Sequence, residues 1–302
     1  MHLYYSDSKN MIGKYKDFLE QKVDQNKINY DELRLLCEVN LNKQEEVDIN
    51  VILPVRDRDD FVKPCINHLN RAIDNCDWNI SITLVEESIA SKHNDKVSGD
   101  TNYIYVPSKN ALINKCLAHN CAFKYSNKAK YYLFHDIDIL VQSDFFEKTV
   151  SNVKQSQARA LQTFSKRRVL NMNKYLTEAV LSNQIDVNDL NENYEHIEIP
   201  QEGAPGGSIL VERELFIEIG GYDPELFYGY APEDRFFWDK IETISKVNFP
   251  SEDVELFHMC HDVKTFENAQ LWNMHVYLDC FSKIDVPNKK LFLNTKKNLL
   301  GA

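Results

Sequence analysis

The sequence of 302 residues lacks any run of 18 apolar residues, so no segment is long enough to be read as a transmembrane helix. Its N-terminus, MHLYYSDSKN, also lacks the basic-then-apolar order of a secretory signal. An excess of positive charge is missing as well, because 46 acidic residues outnumber 35 basic ones and give a net charge of −11. We therefore expect a cytoplasmic protein without general affinity for nucleic acid or for anionic membranes.

Two further absences concern cysteine spacing and glycine-rich loops. The seven cysteines are odd in number and show no CxxC spacing, so we interpret them as reduced thiols rather than as disulfides or zinc ligands. No glycine-rich basic loop lies near residue 54, where a triphosphate-binding loop would be expected. What the sequence does have is 43% hydrophobic residues, which is enough for one large core or two modest ones.

Apolar and helical patterns alternate along the first half of the chain. A short apolar run, DINVILPVRDR, ends in a polar loop, as expected for a buried strand. Helical patterns follow at 59–76 and 109–126, and further strands are predicted at 78–88 and 131–135. This alternation predicts an α/β fold with a mostly parallel central sheet flanked by helices, and ligands bind at the carboxyl edge of such a sheet. The polar side chains expected at that edge are Arg56, Arg58, Glu86, Glu87, Asp136 and Asp138.

The other segments are assigned by pattern. Residues 1–46 carry apolar residues at roughly helical spacing among many charges and are predicted to be helical. The polar region 182–202 is predicted to be a mobile loop. Further on, SILVE is strand-like and VERELFIEIGGYD predicts a helix that ends at Gly220 or Gly221, followed by another helix that begins near Glu233.

The most informative segment is YYLFHDIDILVQSDFF, in which an apolar strand ends in Asp136 and Asp138. Residues two apart lie on the same side of an extended chain, so both carboxylates can face one cation and the phosphates that it carries. A surface turn in which aspartate caps the backbone is the alternative interpretation. The pattern favours a metal site for a phosphate-bearing substrate such as a nucleotide sugar.

A second group of candidate residues surrounds the acidic pair Glu233 and Asp234. Tyr228 and Tyr230 precede the pair, and aromatic rings beside carboxylates are a common way to hold a sugar, with the rings stacking and the acids binding hydroxyls. Acidic residues in the first turn of a helix also complement the helix dipole, which is the alternative interpretation. The aromatic setting favours the sugar site.

Two more pairs complete the set of candidates. Gly206 and Gly207 permit close approach of the backbone to a ligand, although a plain turn explains two glycines equally well. His258 and His261 are three residues apart, so they would meet on one face of a helical turn and could share a metal. Each histidine taken singly is also explained as a hydrogen-bonded core or surface residue. Carboxylate and imidazole ligands with room for phosphate oxygens suit Mn²⁺ or Mg²⁺ better than a closed zinc site.

In their order along the chain and in their residue types, these candidate segments resemble motifs of inverting glycosyltransferases of the GT-A fold, particularly of the β-1,4-galactosyltransferase and chondroitin-polymerase branch. The resemblance runs from about residue 48 to residue 268. That family has Pro-x-Arg-x-Arg after its first strand, then Asp-x-Asp, Gly-Gly, a Gly-aromatic pair, Trp-Gly-Trp-Gly-Gly-Glu-Asp, and a Met-x-x-His metal pair with a trailing Glu-Asn. The matching segments here are PVRDR, Asp136-Ile-Asp138, Gly206-Gly207, Gly221-Tyr222, YGYAPED, His258 with His261, and Glu267-Asn268.

The resemblance implies a role for each candidate. The metal ligands would be Asp138, His258 and His261. Asp234 would be the general base, and Glu233 would orient acceptor hydroxyls. The residues implied at the nucleotide-sugar donor are Pro54, Arg56, Arg58, Glu86, Lys115, Asp136 and Asp138. The residues implied at the acceptor are Gly206, Gly207, Tyr228 and Tyr230.

The implied reaction is transfer of a hexose or N-acetylhexosamine, of the galactose or N-acetylgalactosamine type, from a UDP-sugar to a hydroxyl of a glycan or glycolipid, with Mn²⁺ or Mg²⁺. The family reaction inverts the anomeric configuration. Three departures alter the expected preferences: tyrosines replace the tryptophans, Ala231-Pro232 replaces a Gly-Gly, and His258 replaces a methionine among the metal ligands.

The resemblance also suggests a division of the chain and a setting. A GT-A domain at 47–270 would have a nucleotide-binding half at 47–150 and an acceptor half at 151–270. An N-terminal helical segment at 1–46 and a C-terminal extension at 271–302 would flank it. A cytoplasmic enzyme of polysaccharide biosynthesis fits this picture, and peripheral association with membrane-bound glycan machinery is compatible with it.

Three other functions remain open on the sequence. A sugar nucleotidyltransferase could use the same sheet edge, although its glycine-rich loop is missing. A two-metal phosphohydrolase could use His135-Asp136 and His261-Asp262, but it would need more ligands on helices. A noncatalytic sugar-binding or nucleotide-sugar-binding module would keep the tyrosines and would need neither Asp138 nor Asp234.

Overall fold

The fold is a mixed α/β arrangement in which helices cover both faces of a large sheet. A computed structural model describes residues 28–42, 46–94, 97, 100–109, 112–165, 169–198, 206–227, 229, 232–251, 253–262 and 286–296. Within these ranges no helix has both the length and the apolar character needed to span a membrane.

The first half of the described chain alternates strands and helices. Its elements are α1 (Tyr30–Arg34), β1 (Glu38–Asn40), β2 (Val47–Val55), α2 (Asp59–Ile73), β3 (Ile80–Ser88), β4 (Thr101–Pro107), α3 (Lys115–Tyr125), β5 (Ala129–His135), β6 (Ile139–Val141) and α4 (Phe145–Ser156). The strands and helices predicted between 48 and 135 are confirmed, but β4 was not predicted.

The second half has shorter strands. Its elements are β7 (Ala160–Gln162), β8 (Leu170–Met172), α5 (Lys174–Leu181), a 3₁₀ helix (Val187–Asp189), β9 (Ile197–Glu198), β10 (Ser208–Glu212), α6 (Arg213–Glu218), α7 (Glu233–Ile244), β11 (Val247–Asn248), β12 (Leu256–His258) and α8 (Val286–Lys296). The region 182–202, predicted as a loop, therefore contains a 3₁₀ helix and a short strand.

The described strands of the large sheet lie in the order β1-β4-β3-β2-β5-β10-β7-β11. The central strands β4, β3, β2 and β5 are parallel, whereas β1 and β10 pair antiparallel with their neighbours. The sheet is thus parallel at its centre and mixed towards its edges. The carboxyl ends of the parallel strands meet at one edge, as the alternation of elements predicts.

Two cores explain why β2 is apolar along nearly its whole length. Helices α2 and α4 pack on one face of the large sheet, and α3, α6 and α7 pack on the other. Strand β2 is covered on both faces, so its consecutive residues Val51, Ile52 and Leu53 are all buried. In open sheets covered on both faces, ligands bind at the carboxyl edge.

A smaller sheet brings a distant segment to this edge. Its described strands lie in the order β6-β12-β8-β9, and β12 pairs antiparallel with β6 so that His258 faces Ile139. The backbone N–H of Met259 donates to the carbonyl of Asp138 at 2.8 Å. This pairing places the end of β12 beside the turn between β5 and β6.

The predicted helix end at the glycine pair is confirmed, but that helix is shorter than expected. Val211 and Glu212 belong to β10, and the helix covers Arg213–Glu218 only. Gly220 and Gly221 have φ values of +72° and +65°. Gly221 N donates to Phe216 O and Gly220 N to Ile217 O, a pattern that closes a helix where residues without a side chain are favoured.

The two terminal segments are described in part. Residues 1–27 and 43–45 of the predicted N-terminal helical segment lie outside the described residues. Its described part is helical at Tyr30–Arg34, but Glu38–Asn40 form strand β1, so the helical prediction is wrong there. Residues 271–285 and 297–302 of the predicted C-terminal extension also lie outside, and its described part is α8. The predicted domain boundaries stay predictions.

Candidate functional site

Asp138, His258 and His261 form a cluster with the character of a metal site. One ligand atom from each lies within 4.8 Å of the others, and all three residues are partly buried. His261 Nε2 is 2.8 Å and His258 Nε2 is 3.8 Å from Asp138 Oδ2. The two imidazole ring centres are 5.0 Å apart. The structure therefore brings together the three residues that the family resemblance implies as metal ligands.

The two histidines meet for a different reason from the one predicted. His258 is the last residue of strand β12, and His261 lies in the irregular segment that follows it, so they do not lie on a helical turn. The strand carries His258 to the turn between β5 and β6 through its pairing with β6. Cross-strand pairing, and not helical periodicity, assembles the cluster.

The charges in the cluster stabilise one another. Burial alone would raise the pKa of Asp138, but hydrogen bonds and charge from His258 and His261 outweigh it and hold that pKa well below its usual value. The bond to Asp138 raises the pKa of His261 although burial opposes it. Asp138 is thus an ionised carboxylate next to two imidazoles.

This donor set fits a divalent cation. It offers one carboxylate oxygen and two imidazole nitrogens on one side, which leaves positions for phosphate oxygens. Mg²⁺ strongly prefers oxygen ligands, so two imidazoles favour Mn²⁺ over Mg²⁺. His261 Nδ1 lies 3.1 Å from the carbonyl of Asp262 and 2.8 Å from Arg58 Nη2, and its Nε2 faces Asp138 Oδ2 at 2.8 Å. The contacts outside the cluster fix the orientation of the imidazole ring.

Lys115 joins the two acidic segments of the site. Its Nζ lies 2.8 Å from Asp136 Oδ1, 3.2 Å from Asp234 Oδ2 and 3.7 Å from Glu233 Oε1. Lys115 is the first residue of α3, whose N-cap Asn114 accepts from Leu117 N at 2.9 Å. The amino end of α3 therefore carries an ammonium group to the point where the edge of the sheet meets the start of α7.

Burial shifts the pKa values in this second cluster. It would lower the pKa of Lys115, but the carboxylates of Asp136, Asp234 and Glu233 together raise that pKa well above its usual value. Burial raises the pKa of Asp136 to about 6 against the opposing effect of Lys115. Burial, followed by the charge of Asp234, raises the pKa of Glu233 to about 8. Glu233 is therefore a neutral carboxylic acid over most of the neutral range, and its Oε2 has no hydrogen-bond partner within the described part of the chain.

We expect Glu233→Gln to change the pH dependence of stability. A folded-state pKa raised above the unfolded one means that the stabilising contribution of this carboxyl group is fully present below the unfolded pKa and is lost as pH rises through about 8. Glutamine does not ionise, so the melting temperature of the variant minus that of the wild type should increase between about pH 5 and pH 9. Glu242→Gln, at an exposed position of α7, should show no such trend. A difference that stays constant with pH in Glu233→Gln would contradict the raised pKa.

The glycine pair closes the site from the opposite side. A side chain at Gly206 would place its Cβ 2.1 Å from Asp234 Oδ2 and 2.9 Å from Asp234 Cγ. Gly207 has a φ of +98°, and its carbonyl accepts from Asp136 N at 2.9 Å. The sequence suggested that these glycines allow a ligand to approach, but the group that approaches Gly206 in the structure is the Asp234 side chain. Their predicted contact with the acceptor stays a prediction.

Arg56 and Arg58 play different structural parts. Arg58 Nη2 lies 2.8 Å from His261 Nδ1 and donates to the carbonyl of Asp262 at 3.2 Å, so its guanidinium borders the metal-type cluster. Arg56 Nη1 pairs with Glu87 at 3.1 Å and donates to Leu112 O at 2.9 Å. The contact between Arg58 and His261 was not foreseen from the sequence.

The other predicted donor residues lie nearby in the sheet. Pro54 is buried in β2. The Glu86 carboxylate in β3 accepts from the Tyr103 hydroxyl at 2.7 Å and from the backbone of Lys92 and His93 at 3.0 and 3.1 Å. Glu86 therefore shapes the segment after β3, and its contact with a nucleotide stays a prediction. The predicted acceptor residues Tyr228 and Tyr230 lie outside the described residues.

His135 supports the turn that carries Asp136 and Asp138. It is fully buried, with Nδ1 2.9 Å from Ser208 Oγ and Nε2 3.2 Å from Ile139 O. Both ring nitrogens thus contact groups of the protein, and the imidazole spans the turn from inside. This position argues against the two-metal phosphohydrolase, which would use His135 as a ligand.

Three solved structures have a similar fold. TarS of S. aureus in complex with UDP-GlcNAc aligns with a TM-score of 0.52 at 12% identity, over 83% of this chain and 72% of that one. Mannosyltransferase PcManGT from Pyrobaculum calidifontis in complex with GDP-Man and Mn²⁺ aligns with a TM-score of 0.50 at 13% identity, over 96% and 78%. GalNAc-T7 with UDP, GalNAc and Mn²⁺ aligns with a TM-score of 0.50 at 13% identity, over 83% and 55%.

These similarities concern the fold. No protein-family model matches the sequence, and no curated protein matches it. The chain spans just over half of GalNAc-T7 and about three quarters of the other two. The predicted GT-A fold, with a large sheet flanked by helices, is confirmed.

Proposed function

We propose that this chain is a metal-dependent glycosyltransferase that moves a sugar from a nucleotide diphosphate to a hydroxyl of a glycan. The observation that carries the proposal is the cluster of Asp138, His258 and His261, which lies at the carboxyl edge of the sheet of a GT-A fold. Ligands bind at that edge in open α/β sheets. The second cluster around Lys115 lies beside it, because Asp136 and Asp138 share one turn.

The favoured donor is a UDP-sugar of the galactose or N-acetylgalactosamine type. The ordered motifs support this donor, since they resemble those of the β-1,4-galactosyltransferase branch. Structures with a similar fold hold UDP-GlcNAc, GDP-Man with Mn²⁺, or UDP and GalNAc with Mn²⁺. These bound molecules support a nucleotide sugar and Mn²⁺ here, and the resemblance of the motifs supports uridine over guanosine.

Each residue then has a chemical task on the donor side. Asp138, His258 and His261 would hold the cation, and bound Mn²⁺ would neutralise negative charge on the departing diphosphate. Arg58 adds a positive charge next to the same cluster. Asp136, in contact with Lys115, would meet the donor ribose or a water molecule. The rest of the donor-binding site would be lined by Pro54, Arg56, Glu86 and Lys115.

On the acceptor side, Asp234 would remove the proton from the attacking hydroxyl. Its carboxylate is held between Gly206 and the ammonium of Lys115, which fixes where the proton is received. Glu233 would orient acceptor hydroxyls: as a neutral acid whose Oε2 has no partner among the described residues, it can donate a hydrogen bond. Tyr228 and Tyr230 would stack on the acceptor sugar. A single displacement inverts the anomeric configuration, so an α-linked donor would give a β-linked product.

The setting follows from the same resemblance. We propose a role in polysaccharide biosynthesis, with a glycan or glycolipid acceptor and a site of action at the cytoplasmic face of a membrane. The catalytic domain would cover 47–270, with its donor half at 47–150 and its acceptor half at 151–270.

Release of the nucleoside diphosphate from a panel of nucleotide sugars tests the proposal. UDP-galactose, UDP-N-acetylgalactosamine, UDP-N-acetylglucosamine and GDP-mannose are each incubated with a mixture of oligosaccharide acceptors, with and without Mn²⁺. We expect Mn²⁺-dependent release of UDP from one of the galactose-type donors and an inverted product. Binding of a nucleotide sugar without turnover would favour the noncatalytic module. Pyrophosphate-dependent formation of a nucleoside triphosphate would favour the nucleotidyltransferase.

A further inference from the structure

A buried network of four charged side chains lies outside the site described above. Lys240 Nζ contacts Asp223 Oδ2 at 2.5 Å, and Lys296 Nζ lies 3.1 Å from both Asp223 Oδ1 and Glu225 Oε2. None of the four side chains is more than 3% exposed. Two ammonium groups face two carboxylates, so the network is neutral as a whole. Buried ions carry a large desolvation cost, and such a set persists only when its partners are complete.

The network joins three separate parts of the chain. Asp223 and Glu225 lie in the segment after α6, Lys240 lies in α7, and Lys296 is the last residue of α8. Lys240 also donates to the carbonyl of Gly221. Lys296 therefore fastens the C-terminal helix to the segment 221–225.

Apolar contacts of α8 bury the same surface. Phe292 and Leu293 are buried, and the Phe292 ring meets Phe236 of α7 edge-on with ring centres 6.4 Å apart. No side chain fits at Gly220, because a Cβ there would lie 2.3 Å from Lys296 Cβ and 3.0 Å from the Lys296 carbonyl carbon. The helix α8 is thus packed closely against the segment between α6 and α7.

That segment contacts the residues just before Lys115, which pairs with Asp234 in the proposed site. The backbone N–H groups of Leu226 and Phe227 donate to Asp223 O at 3.1 and 3.2 Å. Gly229 N donates to Ile113 O at 2.7 Å, only two residues before Lys115. Asn114 Nδ2 donates to Pro224 O at 2.9 Å. The segment around Asp223 is therefore coupled by hydrogen bonds to the start of α3.

We propose that the C-terminal helix positions the acceptor side of the site, with Lys296 as the positioning residue. Lys296 contacts Asp223 and Glu225, which lie in the segment 222–227. That segment contacts Asn114, directly before Lys115, and Lys115 pairs with Asp234 of the proposed acceptor side. This inference rests on the proposed function for the meaning of the acceptor side. It assigns to the C-terminal extension a task in transfer that the motifs between 48 and 268 do not indicate.

Hydrogen exchange tests the positioning directly and needs no knowledge of the acceptor. In Lys296→Met we expect the amides of Tyr222, Leu226 and Phe227 to exchange at least about tenfold faster, because an unpaired buried carboxylate opens the segment locally. The amides of β5 should be unchanged. Lys290→Met, the same substitution at an exposed position of α8, should leave both regions unchanged.

The double variant Lys296→Met/Glu225→Gln separates positioning from simple instability. It keeps the pair of Asp223 with Lys240 and restores charge balance, so its melting temperature should return towards that of the wild type. We expect its 222–227 amides to exchange fast nevertheless, since the link to α8 is gone. Exchange at the wild-type rate in the double variant, or equally fast exchange in β5, would overturn the proposal.

A functional readout accompanies the exchange. UDP release with the oligosaccharide mixture should fall at least about fivefold in the double variant, while the melting shift caused by UDP and Mn²⁺ is retained. Undiminished release would overturn the role in transfer. Failure of UDP to bind the wild type would instead contradict the proposed function, and the exchange rates would still report whether Lys296 holds the segment.

Discussion

Replacing Asp138 by asparagine should abolish Mn²⁺-dependent binding of UDP. The substitution removes the only carboxylate of the described metal-type cluster and leaves two imidazoles without a negative charge between them. Loss of even an outer-shell partner weakens metal binding by about 10- to 100-fold, so loss of a direct ligand should cost more than about 100-fold. Calorimetric titration of Mn²⁺ into the protein in the presence of UDP measures this change.

The matched control is Asp144→Asn, a half-exposed aspartate that pairs with Lys148 at the start of α4. It should bind Mn²⁺ and UDP as the wild type does. An Asp138→Asn protein that is folded and keeps its Mn²⁺-dependent affinity would remove Asp138 from the metal site. The cluster with His258 and His261 would then be an ion pair that only stabilises the fold.

Asp234→Asn should lose sugar transfer and keep donor binding. Asparagine has the shape of aspartate, so it fits between Gly206 and Lys115, but it cannot accept the proton of the acceptor hydroxyl. General base catalysis contributes about 10²–10⁴-fold, and turnover should fall by that factor. The rate of UDP release in the presence of acceptors gives the turnover, and the melting shift with UDP and Mn²⁺ gives donor binding.

Glu242→Gln provides the control for this experiment, because it makes the same change of carboxylate to amide at an exposed position of α7. It should leave turnover unchanged. Near-normal turnover in Asp234→Asn would refute the assignment of the base. Loss of the melting shift in that variant would instead place Asp234 on the donor side.

The cluster of Asp138, His258 and His261 shows what sequence periodicity can and cannot predict. Asp136 and Asp138 follow the end of β5, as predicted, but they do not lie on one side of an extended chain. Ile137 and Asp138 form a turn in which Ile139 N donates to Asp136 O, so Asp136 contacts Lys115 while Asp138 contacts the two histidines. The resemblance grouped His258 and His261 with Asp138, but the helical turn inferred from their spacing is wrong. Their meeting depends on the pairing of β12 with β6, which joins residues more than a hundred positions apart. Local spacing contains no information about such pairing.

Lys115 shows what the sequence could not reveal. Its place among the donor residues was expected, but its simultaneous contacts with Asp136 and Asp234 join three segments that are distant in the chain. The same is true of Gly206, where the close approach is made by Asp234 and was expected from a ligand. The raised pKa of Glu233 also depends on this assembled surrounding, since burial is its first cause.

The alternation of elements predicted the sheet well at its centre and poorly at its edges. Strands β2, β3 and β5 are long apolar runs covered on both faces, and their pattern is clear. Strand β10 was partly assigned to a helix because Val211 and Glu212 continue into Arg213–Glu218 without a break in pattern. Short strands at the edge of a sheet are fixed by their neighbours more than by their own sequence.

Titration of UDP into the wild-type protein, with and without Mn²⁺, tests the central claim most directly. It requires neither the acceptor nor the donor sugar, because it asks only whether the cluster at the sheet edge binds a nucleotide diphosphate through a cation. We predict saturable binding that is at least about tenfold tighter with Mn²⁺. Equal affinity with and without Mn²⁺, or no binding of UDP at all, would contradict the account.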